Sequence, residues 1–153
     1  MLWLCSGIAV DRRLLVLCAT GCARSVLHLV PPDEDRPRRA VEAAEAWAYG
    51  RGSAEDAEAA YAAAWAATLD AGAAPAVLAG VWAAGAAAGA AESAEAAAQA
   101  VVLTALLAAS AAEAAGITTQ ATAMRRYARG VRSVIPWAHV ADRLRTVGVE
   151  VET

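Results

Sequence analysis

Apolar side chains recur at helical spacing along most of this chain, in blocks bounded by caps, prolines and glycines. The first block follows Asp11, a candidate cap. Leu14, Cys18, Cys22, Ser25 and Leu29 make one stripe, with Leu15 and Val26 beside it. Arg13, Thr20, Arg24 and His28 fall on the outer side. The spacing predicts a helix from Arg12 to about Val30, stopped by Pro31 and Pro32. The second block carries the densest charge in the chain, D-E-D-R-P-R-R-A-V-E-A-A-E-A-W-A-Y-G over Asp33–Gly50. Asp35 is placed to cap it, and Pro37 sits in its first turn, where the missing N–H costs nothing. Ala40, Val41, Ala44, Trp47 and Ala48 share one face, and Arg38, Arg39, Glu42 and Glu45 take the other. Gly50 and Gly52 end the block.

Ser53 caps a third helix, with Asp56 completing a capping box. Tyr61, Trp65 and Leu69 are spaced by four and share a face, so Trp65, like Trp47, is expected in the core. Gly72 is the expected C-terminal glycine, and Pro75 opens a new helix. Val77, Leu78, Val81, Trp82, Gly85 and Gly89 follow one side of it, and the two glycines form a small-xxx-small patch that lets another helix come close. Glu92, Ser93 and Glu95 either restart a helix or continue a long one to Ala115, with Val102, Leu106 and Ala109 inward. Gly116 ends that helix and Thr118 or Thr119 caps the next, whose stripe is Met124, Tyr127, Ala128, Val131 and Ile135. Arg125, Arg126, Arg129 and Arg132 face solvent. Pro136 opens a last helix carrying Trp137, Val140, Ala141, Leu144 and Val147, closed by Gly148. Met1–Val10 shows no clear period and reads as a short strand or an arm; Val149–Thr153 alternates like a strand that would pair with it. The expected fold is all-α. It is one domain over residues 1–153, a compact bundle of six or seven antiparallel alanine-rich helices. Within it, residues 1–10 form an arm, 11–115 the helical core and 117–148 a C-terminal helix pair, with at most a minor strand from the two ends.

Composition changes this picture in two ways. Alanine makes up roughly 30% of the chain, far above ordinary usage, which favours helix but supplies little core volume. Charge is uneven. Residues 1–116 hold 13 acids against 7 Arg, a balance of −6, and residues 117–153 hold 3 acids against 6 Arg, a balance of +3. That asymmetry suits a partner or self-association. There is no Lys and no Phe. Cys5, Cys18 and Cys22 make an odd count without framework spacing, which points to a reducing cytoplasm. Met1–Val10 has no basic region and no clear small-residue cleavage site, so no signal peptide is expected. Ala71–Ala91 is the longest uncharged run, but it is nearly all Ala and Gly and is interrupted by Pro75; it reads as buried helix rather than a membrane span.

Candidate chemistry is sparse. His28 and His139 sit at opposite ends of the chain. Cys18 and Cys22 lie one turn apart, with Cys5 as a third thiol, but no second pair follows, and both fall on an apolar stripe. They read as buried small hydrophobes. No G-x-S-x-G or H-E-x-x-H occurs, and a phosphate loop needs a Lys this chain lacks. Asp33–Asp35 has no EF-hand spacing. The four arginines Arg125, Arg126, Arg129 and Arg132 could touch phosphates, yet they lack aromatic interleaving and the rest of the chain is acidic, so nucleic acid is a weak reading. No catalytic residue, metal or cofactor is expected. Arg38 and Arg39 break a local rule, lying in a first turn where the helix dipole favours anions. Either Asp33, Glu34 and Asp35 neutralise them, or Arg38 pairs with Glu42, or they are held for a partner.

One resemblance bears on function. Asp11, Arg12, Leu14 and Leu15, then Cys22-Ala23 with Val26-Leu27, then Asp35-Arg36-Pro37-Arg38 with Ala40-Val41-Glu42-Ala43, then Trp47 and Gly50 resemble the immunity proteins of bacterial polymorphic toxin systems, a small helical family common in actinobacteria. The resemblance covers roughly the first third of the chain, Asp11–Gly52, and extends more loosely to about Ala115. Two features depart from it. Gly21 stands where the family has an acidic residue, and Ala83–Ala98 holds none of the histidines that related chains carry. The resemblance implies a non-catalytic cytoplasmic protein that binds and neutralises a cognate toxin. Asp33, Glu34, Arg38, Arg39, Glu42 and Glu45 are then candidates for the partner-binding face. Asp35, Pro37, Trp47, Trp65, Gly85 and Gly89 are expected to be structural. The competing account has Arg36 and Arg39 in internal salt bridges. A second functional reading is a self-associating structural or adaptor bundle, a possible homodimer through Gly85/Gly89 or the arginine helix. A third is an enzyme or ligand carrier.

Overall fold

In the computed structural model, which describes residues 11–70, 74–92 and 94–146, the capped blocks become helices. Helix α1 spans Arg12–Arg24, and the Asp11 carboxylate accepts from the Arg13 amide at 2.9 Å. It stops six residues before the expected end at Val30. The Ser25 hydroxyl donates to the Cys22 carbonyl at 2.7 Å, Val26 leaves helical geometry at φ −124°, and the chain continues as a 3₁₀ turn over Leu27–Leu29. Helix α2 spans Arg36–Ala48. Then follow α3 (Ala54–Asp70), α4 (Pro75–Glu92), α5 (Ala94–Ala114), α6 (Gln120–Val134) and α7 (Trp137–Thr146). Among the described residues there are seven α-helices and no strand, the all-α bundle expected. Met1–Val10, Val149–Thr153, Gly72, Val147 and Gly148, for which the sequence carries expectations, lie outside the described residues, as does the side-chain environment of Gly89.

Local signals set the boundaries. Ser53 and Asp56 form the reciprocal capping box: Asp56 accepts from the Ser53 amide at 3.1 Å while Ser53 Oγ accepts from the Asp56 amide at 3.0 Å. Thr119 Oγ1 caps α6 by accepting from the Thr122 amide. Helices α2 and α5 both end in a Schellman motif. Gly50 and Gly116 each adopt φ +69°, and the next residue's amide reaches back to the helix, Arg51 to the Ala46 carbonyl and Ile117 to the Ala112 carbonyl. A side chain with a Cβ would be strained at either position.

Helix α4 is the hub, packing against α1, α2, α3 and α5. Its large side chains are few, and Ala76, Val77, Ala79, Val81 and Ala83 are all buried. Small surfaces let four neighbours approach one helix. Gly85 serves this directly, because a Cβ there would stand 3.2 Å from the Tyr61 ring of α3. The largest fully buried side chains include Leu15 and Val16 of α1, Val26 just after it, Val41 of α2, Val77 and Val81 of α4, Val101 of α5, and Ile135 and Val140 at the C-terminal end. Burying each contributes about 1.5–3 kcal/mol.

Five of the inward expectations are corrected. Trp65 is 43% exposed and Leu69 78%, because α3 buries Ala57, Ala64 and Ala67 instead. Val102 and Leu106 lie outside at 40% and 39%, because α5 turns Ala97, Val101, Ala105 and Ala108 inward. Trp137 is also exposed, while Val140, Ala141 and Leu144 of its helix are buried as expected. In the other direction, Thr20 is buried, with its hydroxyl donating to the Leu17 carbonyl. Trp47 is half-buried against the central core cluster.

Candidate protein-binding face and a neighbouring cleft

The polar face of α2 and the loop before it hold every residue expected to meet a partner, and half of their charges are arranged by internal pairs. Asp35 occupies the N-cap position but in helical geometry, and its side chain does not cap. Its carboxylate instead pairs with Arg39 one turn on. The anion that meets the first turn is Glu34, whose Oε1 accepts from both the Arg36 amide at 3.1 Å and Arg36 Nε at 2.8 Å. This hydrogen bonding from Arg36 holds the Glu34 carboxyl below its ordinary range. The carboxylate at the first turn is thus one residue earlier than expected, because Asp35 turns to Arg39 and Glu34 meets the Arg36 amide. Pro37 is buried in the first turn, where no N–H is missed.

Glu45 joins α2 to α1. Arg24 donates through Nε to Glu45 Oε1 at 2.6 Å and through Nη2 to Oε2, a bidentate pair that raises the Arg24 pKa. Sequence spacing gave no sign of this bridge, since its partners are 21 residues apart. Of the six proposed partner-binding residues, Glu34, Arg39 and Glu45 are therefore tied within the fold. Asp33, Arg38 and Glu42 are exposed and make no ion pair among the described residues; the expected Arg38–Glu42 bridge does not form.

A second feature lies between α1 and α6. It is a half-open cleft of about 280 Å³. Leu17, Cys18, Val131 and Val134, with Ser133 between the valines, line most of its length, and Ser25, Tyr127 and Arg126 close one end. The Ser25 and Tyr127 hydroxyls are 2.7 Å apart. Ser25 spends its proton on the Cys22 carbonyl, so Tyr127 is the donor of that bond. Burial raises the Tyr127 pKa, while the nearby positive charge of Arg126 pulls it down. Cys18 and Cys22 are buried thiols in no disulfide, as expected for small hydrophobes. Burial pushes the Cys22 thiol up to about 12, so it stays protonated and is a poor nucleophile. Gly21 of α1 and Gly130 of α6 line opposite walls, and among the described residues no atom lies within 4 Å of where a Cβ would stand on either. Sequence reasoning missed this cleft, although two glycines inside strong helical blocks were a visible signal.

Arg125, Arg126, Arg129 and Arg132 all face solvent on α6, without an ion pair among the described residues. No three His, Cys, Asp or Glu side chains among the described residues gather closely enough to share a metal ion. One helical window, Ala96–Ala114, is long and apolar enough to cross a membrane, and more than half of it is buried in the bundle. It lies one helix later than the uncharged run singled out in the sequence. No protein-family model matches the chain, and no curated protein or solved structure matches it.

Proposed function

We propose that this chain acts by binding another protein rather than by catalysis, and that it is an immunity protein engaging a cognate toxin through the polar face of α2. The observation that carries the reading is the division of charge on that face. Glu34, Arg39 and Glu45 are fixed by internal pairs, and beside them Asp33, Arg38 and Glu42 stand exposed without ion-pair partners among the described residues. A surface with a set pattern of exposed charges favours fast and specific association, because complementary rim charges raise the on-rate and reject wrong partners. The family resemblance over Asp11–Gly52 falls on the same stretch. The test is a pull-down with the product of the adjacent gene as the candidate toxin, followed by titration of the variants Arg38→Glu and Glu42→Arg. Slower association with weaker salt dependence and unchanged melting is the expected result. Failure to capture the toxin, or variants that associate like the parent, overturns the reading.

A second reading, self-association, rests on the outer face of α5, where Val102, Leu103 and Leu106 are exposed together. Gly85 no longer serves that reading, since the Tyr61 ring covers it. Sedimentation of the parent and of Leu106→Glu separates the two: a concentration-dependent mass abolished by the charge favours the homodimer.

A further inference from the structure

We propose that the cleft between α1 and α6 is a binding site for a small amphipathic monoanion, a slim apolar body ending in a carboxylate. Three features of the cleft carry this. Its size, about 280 Å³, lies at the lower edge of the ~300–1,000 Å³ typical of small-molecule sites. Its walls sort by polarity along their length. From Ser25 back to Leu17 the α1 wall runs roughly 12 Å at the helical rise. The Leu17, Cys18, Val131 and Val134 stretch is apolar apart from Ser133, whose hydroxyl donates to the Gly130 carbonyl at 2.7 Å, and the cation stands with the Ser25 and Tyr127 hydroxyls at the other end. An apolar chain lying along the cleft with an anionic head thus meets a cation at the Arg126 end.

The second feature is the cation at that end. Arg126 lines the cleft and makes no ion pair among the described residues. The Tyr127–Ser25–Cys22 hydrogen bonds are satisfied within the fold, so the head group displaces no internal bond by taking the guanidinium. A guanidinium offers a carboxylate two parallel N–H donors, which a neutral head cannot use as well.

The third feature is the pair of glycines. Gly21 and Gly130 sit inside helices, where glycine weakens the structure relative to alanine. Close packing does not require them, unlike Gly85, because no described atom would meet their Cβ within 4 Å. In a chain that places alanine at almost every small position, two glycines facing one cleft keep its walls low and let a ligand lie against the helix backbone.

The site is separate from the polar face of α2, so its failure leaves the protein-binding reading standing. The test is calorimetric titration of the full chain with octanoate and with octanol, for the parent and three variants. The parent is expected to bind octanoate saturably with one site. Arg126→Gln should weaken octanoate about tenfold and leave octanol unchanged. Gly21→Leu should abolish both by filling the cleft, with a thermal midpoint at or above the parent's. Gly130→Leu fills the cleft from the other wall and serves if Gly21→Leu does not fold. Absence of saturable octanoate binding, or binding that survives a folded glycine-to-leucine variant, overturns the site. Equal octanoate affinity in Arg126→Gln overturns the anionic head.

Discussion

The two halves of the bundle use opposite packing rules. In α1 and α2 the large side chains point inward. Leu15, Val16 and Val41 are fully buried, and the charged residues lie outside, with Arg24 and Glu45 bridging the pair. In α3 and α5 the arrangement inverts. Alanines line most of the interior, with Val101 and Thr104 the larger buried side chains of α5, while Trp65, Leu69, Val102, Leu103 and Leu106 sit at the surface. The difference teaches what alanine does to an amphipathic pattern. Where the polar face is charged, the apolar stripe has a definite direction. Where alanine fills every face, no side is excluded from the core by polarity, and the flattest side wins because it lets helices approach most closely.

The sharpest way to break this comparison uses two adjacent valines of α5. Val101 is fully buried and Val102 is 40% exposed. Val101→Glu should cost about 4 kcal/mol or more by burying an unpaired charge, and Val102→Glu should stay within about 0.5 kcal/mol. Chemical denaturation of both variants decides it; the reverse order would turn α5 over.

Leucines give the next contrast. Leu15→Ala should lose about 2–5 kcal/mol, and Leu106→Ala less than about 1 kcal/mol, since one leaves a cavity and the other trims an exposed side chain. Among the tryptophans, Trp47→Ala should lower the melting temperature more than Trp65→Ala, because Trp47 packs against the central cluster and Trp65 is 43% exposed.

The ion pair that joins α1 to α2 should matter less. Its side chains are 47% and 19% exposed. A double-mutant cycle with Arg24→Ala and Glu45→Ala should return about 0.5–1 kcal/mol of coupling, falling as salt is added.

Glycines sharpen the comparison at similar scale. Gly130→Ala should stabilise by about 0.5–1 kcal/mol, since the position is helical and open. Gly85→Ala should destabilise, because the new methyl meets a Tyr61 ring that itself rests against Trp65, with ring centroids 6.3 Å apart. Equal gains at both sites would remove the close approach from the account of α4.

The smallest effect is acid sensitivity. Arg36 lowers the Glu34 pKa below its ordinary value of 4.5. The stabilisation from this pair is complete above that value and is lost as pH falls through the lowered folded pKa. Between about pH 6 and about pH 3 the parent's urea midpoint should therefore fall further than that of Glu34→Gln. Identical slopes would mean that the pair contributes nothing to folding.

What was legible in the sequence follows the same division. The caps at Asp11, Ser53/Asp56 and Thr119, the stops at Gly50 and Gly116, and the inward faces of α1 and α2 are all local in origin. Each depends on residues within a turn or two, so spacing along the chain is enough to read it. The polar face of α2 was legible for the same reason, but its internal bonds were not. Asp35 was the expected cap, and Glu34 took the first turn because side-chain reach and the path of the preceding loop, not residue preference, decide which carboxylate arrives.

By itself, then, the sequence determined that the chain is helical, where most helices begin and end, and which stretch concentrates charge. Tertiary structure alone decided which faces of the alanine-rich helices turn inward, that Arg24 meets Glu45 across 21 residues, and that Gly21 and Gly130 open onto one cleft. The reason is one of range. Helix formation and capping are settled by neighbours in the chain, whereas packing compares whole surfaces, and an alanine surface carries no polarity by which a sequence can announce its direction.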